Sequence, residues 1–317
     1  MTINEHLSTF HGRPVVEFGG EASTADVDPG AVAWRLRIEP YESEETFPEL
    51  WERFLADVDT TKVDALVIGC WGESYEVHGD VVVDLLVGAK DRLPALRGIF
   101  LGDWVMEEAE VSWIHQADVT PLLTEFPELT ELAVRGGEGL ELTPVTHRAL
   151  ETLRFEAGGL PAAVVRAVGE LDLPALRHLE LWLGDPEYGG DATIEDLAGI
   201  LGGERLPALT HLGLQNSEIQ DQVAEAAASA PVTARLTSLS LAMGVLTDDG
   251  AEALLTGRPL GHLNKLDLHH HFLSDDMVAR VRSVLEPAGV AVNLDEQLTP
   301  DTYEGDDKQY MYVAVAE

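Results

Sequence analysis

Two histidines and a glutamate offer the most direct chemistry in this chain. His178 and Glu180 stand two residues apart in HLELWL, and His211 opens the similar phrase HLGLQN further on. On adjacent parallel strands the two imidazoles would share one column about 4.8 Å apart, with the carboxylate two residues along the same face. Two imidazoles and a carboxylate leave coordination positions open and are a donor set for metal-assisted hydrolysis. No pattern of supporting residues accompanies them, so ordinary polar surface side chains are the preferred reading and no metal is assigned. His269, His270 and His271 invite the same inference, but alternation along a strand sends the first two to opposite faces. The single cysteine, Cys70, excludes a disulfide framework, and with no base placed beside it a buried structural thiol is expected. The chain contains no P-loop, no G-x-G-x-x-G after a strand, no H-E-x-x-H and no G-x-S-x-G. No catalytic residue and no cofactor is therefore assigned, and the protein is read as a non-enzyme.

What these residues can do depends on the elements that place them, and those elements repeat. LPALRGIFL, FPELTELAV, HRALETLRF, LPALRHLEL, LPALTHLGL, TARLTSLSL and LGHLNKLDL are seven variants of L-x-x-L-x-L. Their middle apolar residues are Ile99, Leu132, Leu153, Leu179, Leu212, Leu239 and Leu266, at separations of 33, 21, 26, 33, 27 and 27. In x-L-x-L-x the apolar pair points to one side of a short strand, so each unit has a face that only its own helix and its neighbours can cover. After the strand, LSLAMGVLTDDGAEALL places Leu246 in the core, starts a helix at Thr247 and Asp248, and allows close packing at Gly250 and Ala251. LDLHHHFLSDDMVARV repeats the scheme with Leu273, Ser274 and Asp275. Ser or Thr before acidic residues is a helix N-cap signature.

This period and pattern resemble the leucine-rich repeat in its longer, ribonuclease-inhibitor-like form. The resemblance implies a right-handed α/β solenoid, a horseshoe with parallel strands on the concave side and helices on the convex side. One departure stands out. Where that family usually has Asn or Cys after the strand, this chain has Trp104, Gly137, Gly158, Gly184, Ser217, Gly244 and His271, which implies irregular loops and a capping role for His271. EVSWIHQADVTPLL, LDLHHHFLS and the terminal YVAVAE further resemble a bacterial leucine-rich-repeat family, common in actinomycetes, whose genes lie beside radical-SAM and ATP-grasp enzymes. That likeness implies an accessory role in a modification pathway.

The array is expected over residues 61–295, after an α/β cap over residues 1–60 and before an acidic linker and tail over residues 296–317. In the cap, VAWRLRIE alternates as a strand, and ETFPELWERFL reads as an amphipathic helix with Thr46 and Glu49 as its capping box. VDALVIG is a buried strand leading to a helix over 80–90. YMYVAVAE is left open between a short strand and a flexible tail.

The chain has 57 acidic and 20 basic residues in 317, a net charge of −37, with 45% hydrophobic residues. That composition is globular, and so acidic a surface repels phosphate backbones and anionic lipid. No apolar run approaches the roughly 18 residues of a membrane span. A cytoplasmic monomer that contacts neither nucleic acid nor membrane is expected. On such a surface, Arg135, Arg154, His178, Glu180, Trp182 and His211 fall on the concave side of the expected strands and make the candidate partner-binding surface, since Trp and Arg most often anchor interfaces. Cross-strand ion pairs, Arg135 with Glu156 and Arg154 with Glu180, are the competing explanation. The function expected is a non-catalytic protein- or peptide-binding scaffold. Metal-assisted hydrolysis or substrate carriage at His178, Glu180 and His211 is the alternative.

Overall fold

The computed structural model describes residues 3–20, 27–41, 43–302 and 308–316. The chain divides into two compact units, an N-terminal one of residues 2–156 with 171–175, and a C-terminal one of residues 157–170 with 176–316. Residues 303–307 of the expected acidic linker and Glu317 lie outside the described residues.

The N-terminal unit begins with a short antiparallel pair, β1 (Thr9–Phe10) and β2 (Arg13–Glu17). Parallel strands then add in chain order: β3 (Ala33–Leu36), β4 (Ala65–Ile68), β5 (Gly98–Leu101), β6 (Glu131–Arg135) and β7 (Thr152–Glu156). Helices α1 (Phe47–Asp57), α2 (Asp80–Gly88) and α3 (Thr120–Glu125) return the chain between them. α1 starts where the sequence places its cap, with both halves of the Thr46–Glu49 capping box formed. Its Phe47, Leu50, Trp51, Phe54 and Leu55 are all buried, the stripe that their spacing predicts.

The C-terminal unit has the same plan. Its elements are α4 (Ala162–Glu170), β8 (His178–Gly184), α5 (Ala198–Gly202), β9 (His211–Ser217), α6 (Gln220–Ser229), β10 (Ser238–Ser240), α7 (Asp248–Thr256), β11 (Lys265–Asp267), α8 (Asp275–Leu285) and β12 (Ala291–Asn293). β8 to β12 pair in parallel and in chain order. A last antiparallel pair, β13 (Asp301–Thr302) and β14 (Gln309–Tyr310), stands apart. The fold is an α/β solenoid of parallel strands flanked by helices.

The repeated leucines set the register. Val16, Trp34, Leu66, Ile99, Leu132 and Leu153 are successive partners in the N-terminal unit, as are Leu179, Leu212, Leu239, Leu266 and Val292 in the C-terminal one. A one-residue slip would turn each apolar set to the wrong face, so this pattern fixes the pairing.

Two further ladders tie neighbouring repeats of the C-terminal unit together. Asp221 accepts bonds from the Thr247 amide and hydroxyl at 2.7 and 2.6 Å, and Asp248 does the same for Ser274 at 2.8 and 2.7 Å. Asp275, at the next equivalent position, accepts from Gln297 Nε2 at 3.0 Å. Thr247 and Ser274 meanwhile cap α7 and α8 through Asp249 N–H and Met277 N–H. Where each strand ends, Asn216, Met243, His270 and Glu296 adopt left-handed φ values of 55°, 69°, 56° and 57° at one repeated position. Four such non-glycine residues in succession mark a turn that the repeat imposes against local preference.

Candidate functional site

In the N-terminal unit the sheet face turned away from the repeated leucines is closed over the middle of β3 to β6. Val67, Phe100 and Ala133, with Ala33 and Ala65, form a buried cluster capped by Phe10, and Leu7 and Val15 pack against it. Phe10 meets Phe100 edge to face at 5.8 Å. Small residues let the covering segment lie close: a Cβ on Gly98 would fall 2.9 Å from the His11 ring.

Beside this cluster lies a buried ion network. Asp103, with no exposed surface, accepts from Arg35 Nε at 2.9 Å and from the Leu7 amide at 3.2 Å, and Arg135 Nη1 is 3.7 Å away. Burial alone would raise the Asp103 carboxyl. The hydrogen bond from His6 and the charges of Arg35 and Arg135 outweigh it and hold the group below its ordinary value. His6 in turn is lifted from 6.5 to about 9 by its bonds to Asp103 and Glu108.

Arg135 corrects the sequence expectation. It is 5% exposed, with Nε on Glu156 at 2.9 Å, Nη1 on the Trp104 carbonyl at 3.0 Å and its guanidinium over the Phe100 ring. Its donors are committed to Glu156 and to the Trp104 carbonyl, partners that strand alternation alone does not reveal. Arg154 keeps about a quarter of its side-chain surface, 24%, with Nη1 3.6 Å from Glu156.

The corresponding face of the C-terminal unit retains exposure. Along β8, His178, Glu180 and Trp182 are partly exposed while Leu179, Leu181 and Leu183 are buried, the alternation of a strand with one covered side. His211 lies opposite His178 in the register and Gly213 opposite Glu180. The two imidazoles stack at 4.0 Å between centroids with planes 9° apart. Both Nε2 atoms lie 3.2 Å from one oxygen, Glu180 Oε1. Trp182 is not sealed by the turn that follows it over 185–190. At that turn, Gly184 has φ 78° and a Cβ there would sit 2.0 Å from the Gly158 carbonyl, so only glycine allows the approach.

The remaining residues marked by sequence find individual partners. Cys70 is buried, its thiol pushed up to about 12 chiefly by burial, which leaves it a structural residue. His271 is buried; its Nδ1 accepts from Leu273 N–H at 3.2 Å and its Nε2 donates to the Leu294 carbonyl at 3.2 Å, the capping expected of that position. Burial lowers its pKa and keeps the ring neutral for that pair of bonds. His269 binds Asp267 Oδ1 at 2.8 Å. Trp104 is buried against Trp71 at 5.0 Å, whereas Trp113 is 45% exposed.

One arrangement had no sequence signal beyond its composition. Val313, Ala314 and Val315 are buried, so the terminal segment is a docked strap. It is held at the left-handed positions. His270 Nε2 donates to the Tyr312 carbonyl at 3.0 Å, Ala314 N–H to the Met243 carbonyl at 2.8 Å, and Val315 N–H to Asn216 Oδ1 at 2.9 Å, while Asn216 Nδ2 donates back to the Val315 carbonyl. A single amide side chain thus grips both backbone groups of one residue.

The parallel strands flanked by helices define an α/β solenoid protein. A protein from Bacteroides fragilis of known crystal structure is similar to it, with 30% sequence identity, a TM-score of 0.74, and coverage of 79% of this chain and 70% of that one. The chain belongs to the same family as that protein. No family model matches the chain, and no curated protein does.

Proposed function

We propose that this protein is a leucine-rich-repeat scaffold, without catalysis of its own, that binds a protein or peptide on the open sheet face of its C-terminal unit. His178, Glu180, Trp182 and His211 supply that surface, and Arg154 is a separate, partly exposed cation in the N-terminal unit. The observation that carries the reading is Trp182, a large amphipathic side chain left partly exposed on β8, whereas the equivalent face of β3 to β6 in the N-terminal unit is largely covered. Folding alone gives little reason to keep indole surface there, whereas interface anchors are enriched in Trp. The docked terminal segment adds support, since the same unit already holds an extended chain through its backbone.

The net charge of −37 disfavours nucleic acid as the partner. No helix among the described residues is long and apolar enough to cross a membrane. A cytoplasmic monomer of the actinomycete-type family, accessory to a peptide- or metabolite-modifying pathway, is the setting this reading favours.

The test is capture from extract of the native host by immobilised protein, read by mass spectrometry, with wild type and Trp182→Ala compared. Loss of an anchor contributing about 2 kcal/mol or more weakens capture of a specific partner by well over roughly tenfold. Equal capture by both proteins would place the site elsewhere.

A further inference from the structure

We propose that His178, Glu180 and His211 bind one divalent transition-metal ion, with zinc as the ion their geometry suits. This goes beyond the scaffold reading, because the metal would be held whether or not a partner is present. The three residues are the one group of histidine, cysteine and acidic side chains among those described whose ligand atoms converge, all within 4.8 Å of one another.

Two of the three ligand-to-ligand distances match the edges of a coordination polyhedron. Zinc bonds to imidazole nitrogen and carboxylate oxygen of about 2.0–2.2 Å place tetrahedral ligands roughly 3.3 Å apart. Both Nε2 atoms lie 3.2 Å from Glu180 Oε1. A simple hydrogen-bonded ion pair describes the site less well: His211 Nε2 is buried and makes no hydrogen bond, although that oxygen is so near. A nitrogen close to an oxygen but not aimed at it is the relation of two ligands on one edge of a metal site.

Backbone and sequence support the placement. Parallel pairing fixes His178 opposite His211; the rings stack with their planes 9° apart, so ligation of one ion by both Nε2 atoms requires one imidazole to rotate out of the stack. Glu180 needs room to lean over the neighbouring strand, and its register partner is Gly213, where a Cβ would stand 2.9 Å from Glu180 Cγ. The excess of negative charge on the chain raises the local concentration of cations. Two imidazoles and one carboxylate leave a fourth position for water or for a donor from a partner.

The experiment uses full-length protein without an affinity tag, stripped with a chelator, and titrated with zinc alone by calorimetry and by competition with a chromophoric chelator. One zinc per chain is expected. His178→Ala, His211→Ala and Glu180→Gln should each weaken binding by on the order of tenfold or more, because a lost ligand cannot be replaced from this surface. Gly213→Val should weaken it too by displacing Glu180. His269→Ala, outside the cluster, should leave the affinity unchanged, and near-ultraviolet circular dichroism establishes that each variant is folded. Absence of stoichiometric zinc from the wild type, or equal affinity in a folded His178→Ala/His211→Ala variant, overturns the proposal. So does a loss in His269→Ala as large as in His211→Ala. No partner enters this titration, so its failure leaves the capture experiment to judge the scaffold reading separately.

Discussion

Val67, Phe100 and Ala133 of the N-terminal unit occupy the same line of the repeat as Glu180, Gly213, Ser240 and Asp267 of the C-terminal unit, one residue past the paired leucines. The first set is sealed beneath Leu7 and Phe10, and the second lies on a face where His178, Glu180, Trp182, His211 and His269 keep contact with solvent. Similar backbone plans therefore end in different exposure of the face, although Gly213, Ser240 and Asp267 are themselves buried. The difference lies in composition along the line: small and apolar residues invite a covering segment, because their burial is favourable and leaves no polar group unpaired. Glu180 on that line, with His178, His211 and Trp182 at neighbouring face positions, resists such a cover. In a repeat protein, the face that stays available is set by the chain that crosses it as much as by the strands.

The strongest way to break this contrast is to attack what locks the closed side. Asp103→Ala leaves Arg35 and Arg135 buried without their shared counter-charge, and a loss of about 3–5 kcal/mol is expected in chemical denaturation. A loss below 1 kcal/mol would mean the network is dispensable and the cover is held by apolar contact alone.

The C-terminal unit has its own lock, smaller in effect. Asn216→Ala removes both bonds to Val315 and places Ala at a left-handed φ of 55°, for an expected cost of about 2 kcal/mol. Hydrogen exchange of the Ala314 and Val315 amides should accelerate in this variant. Unchanged protection there would show that the strap is held by burial of its side chains.

A gentler probe uses pH. His6 is raised from 6.5 to about 9, so the stability it contributes is complete below about pH 6.5 and is lost as pH rises through about 9. The melting temperature of the wild type should fall between pH 7 and pH 10 more steeply than that of His6→Gln. Parallel profiles would remove His6 from the network.

The sequence carried the repeat because its leucines do two jobs at once, filling the core and setting the register. Thr46, Thr247 and Ser274 marked their helix starts because a cap is a local interaction, legible within four residues. His271 was legible as a cap for the same reason. Arg135 was misplaced because its burial depends on Phe100, Asp103 and Trp104 of the preceding repeat, some thirty residues away and partly in an irregular loop. The grip of Asn216 on Val315 is likewise non-local, separated by 99 residues. A usable signal did exist: Ala33, Ala65, Gly98 and Ala133 form a run of small residues at face positions, which is the mark of a covered face. The closeness of Glu180 to both histidines followed from strand register, but the 3.2 Å distances themselves required coordinates.

The contrast between the two faces is tested most directly by hydroxyl-radical footprinting of the native protein, read by mass spectrometry at single residues. Trp182, His178 and His211 should be oxidised readily, while Phe10, Phe100 and Trp104 stay protected to the level of the core. Labelling of Phe100 at a rate comparable to Trp182, or protection of Trp182 equal to that of Trp104, would contradict the account.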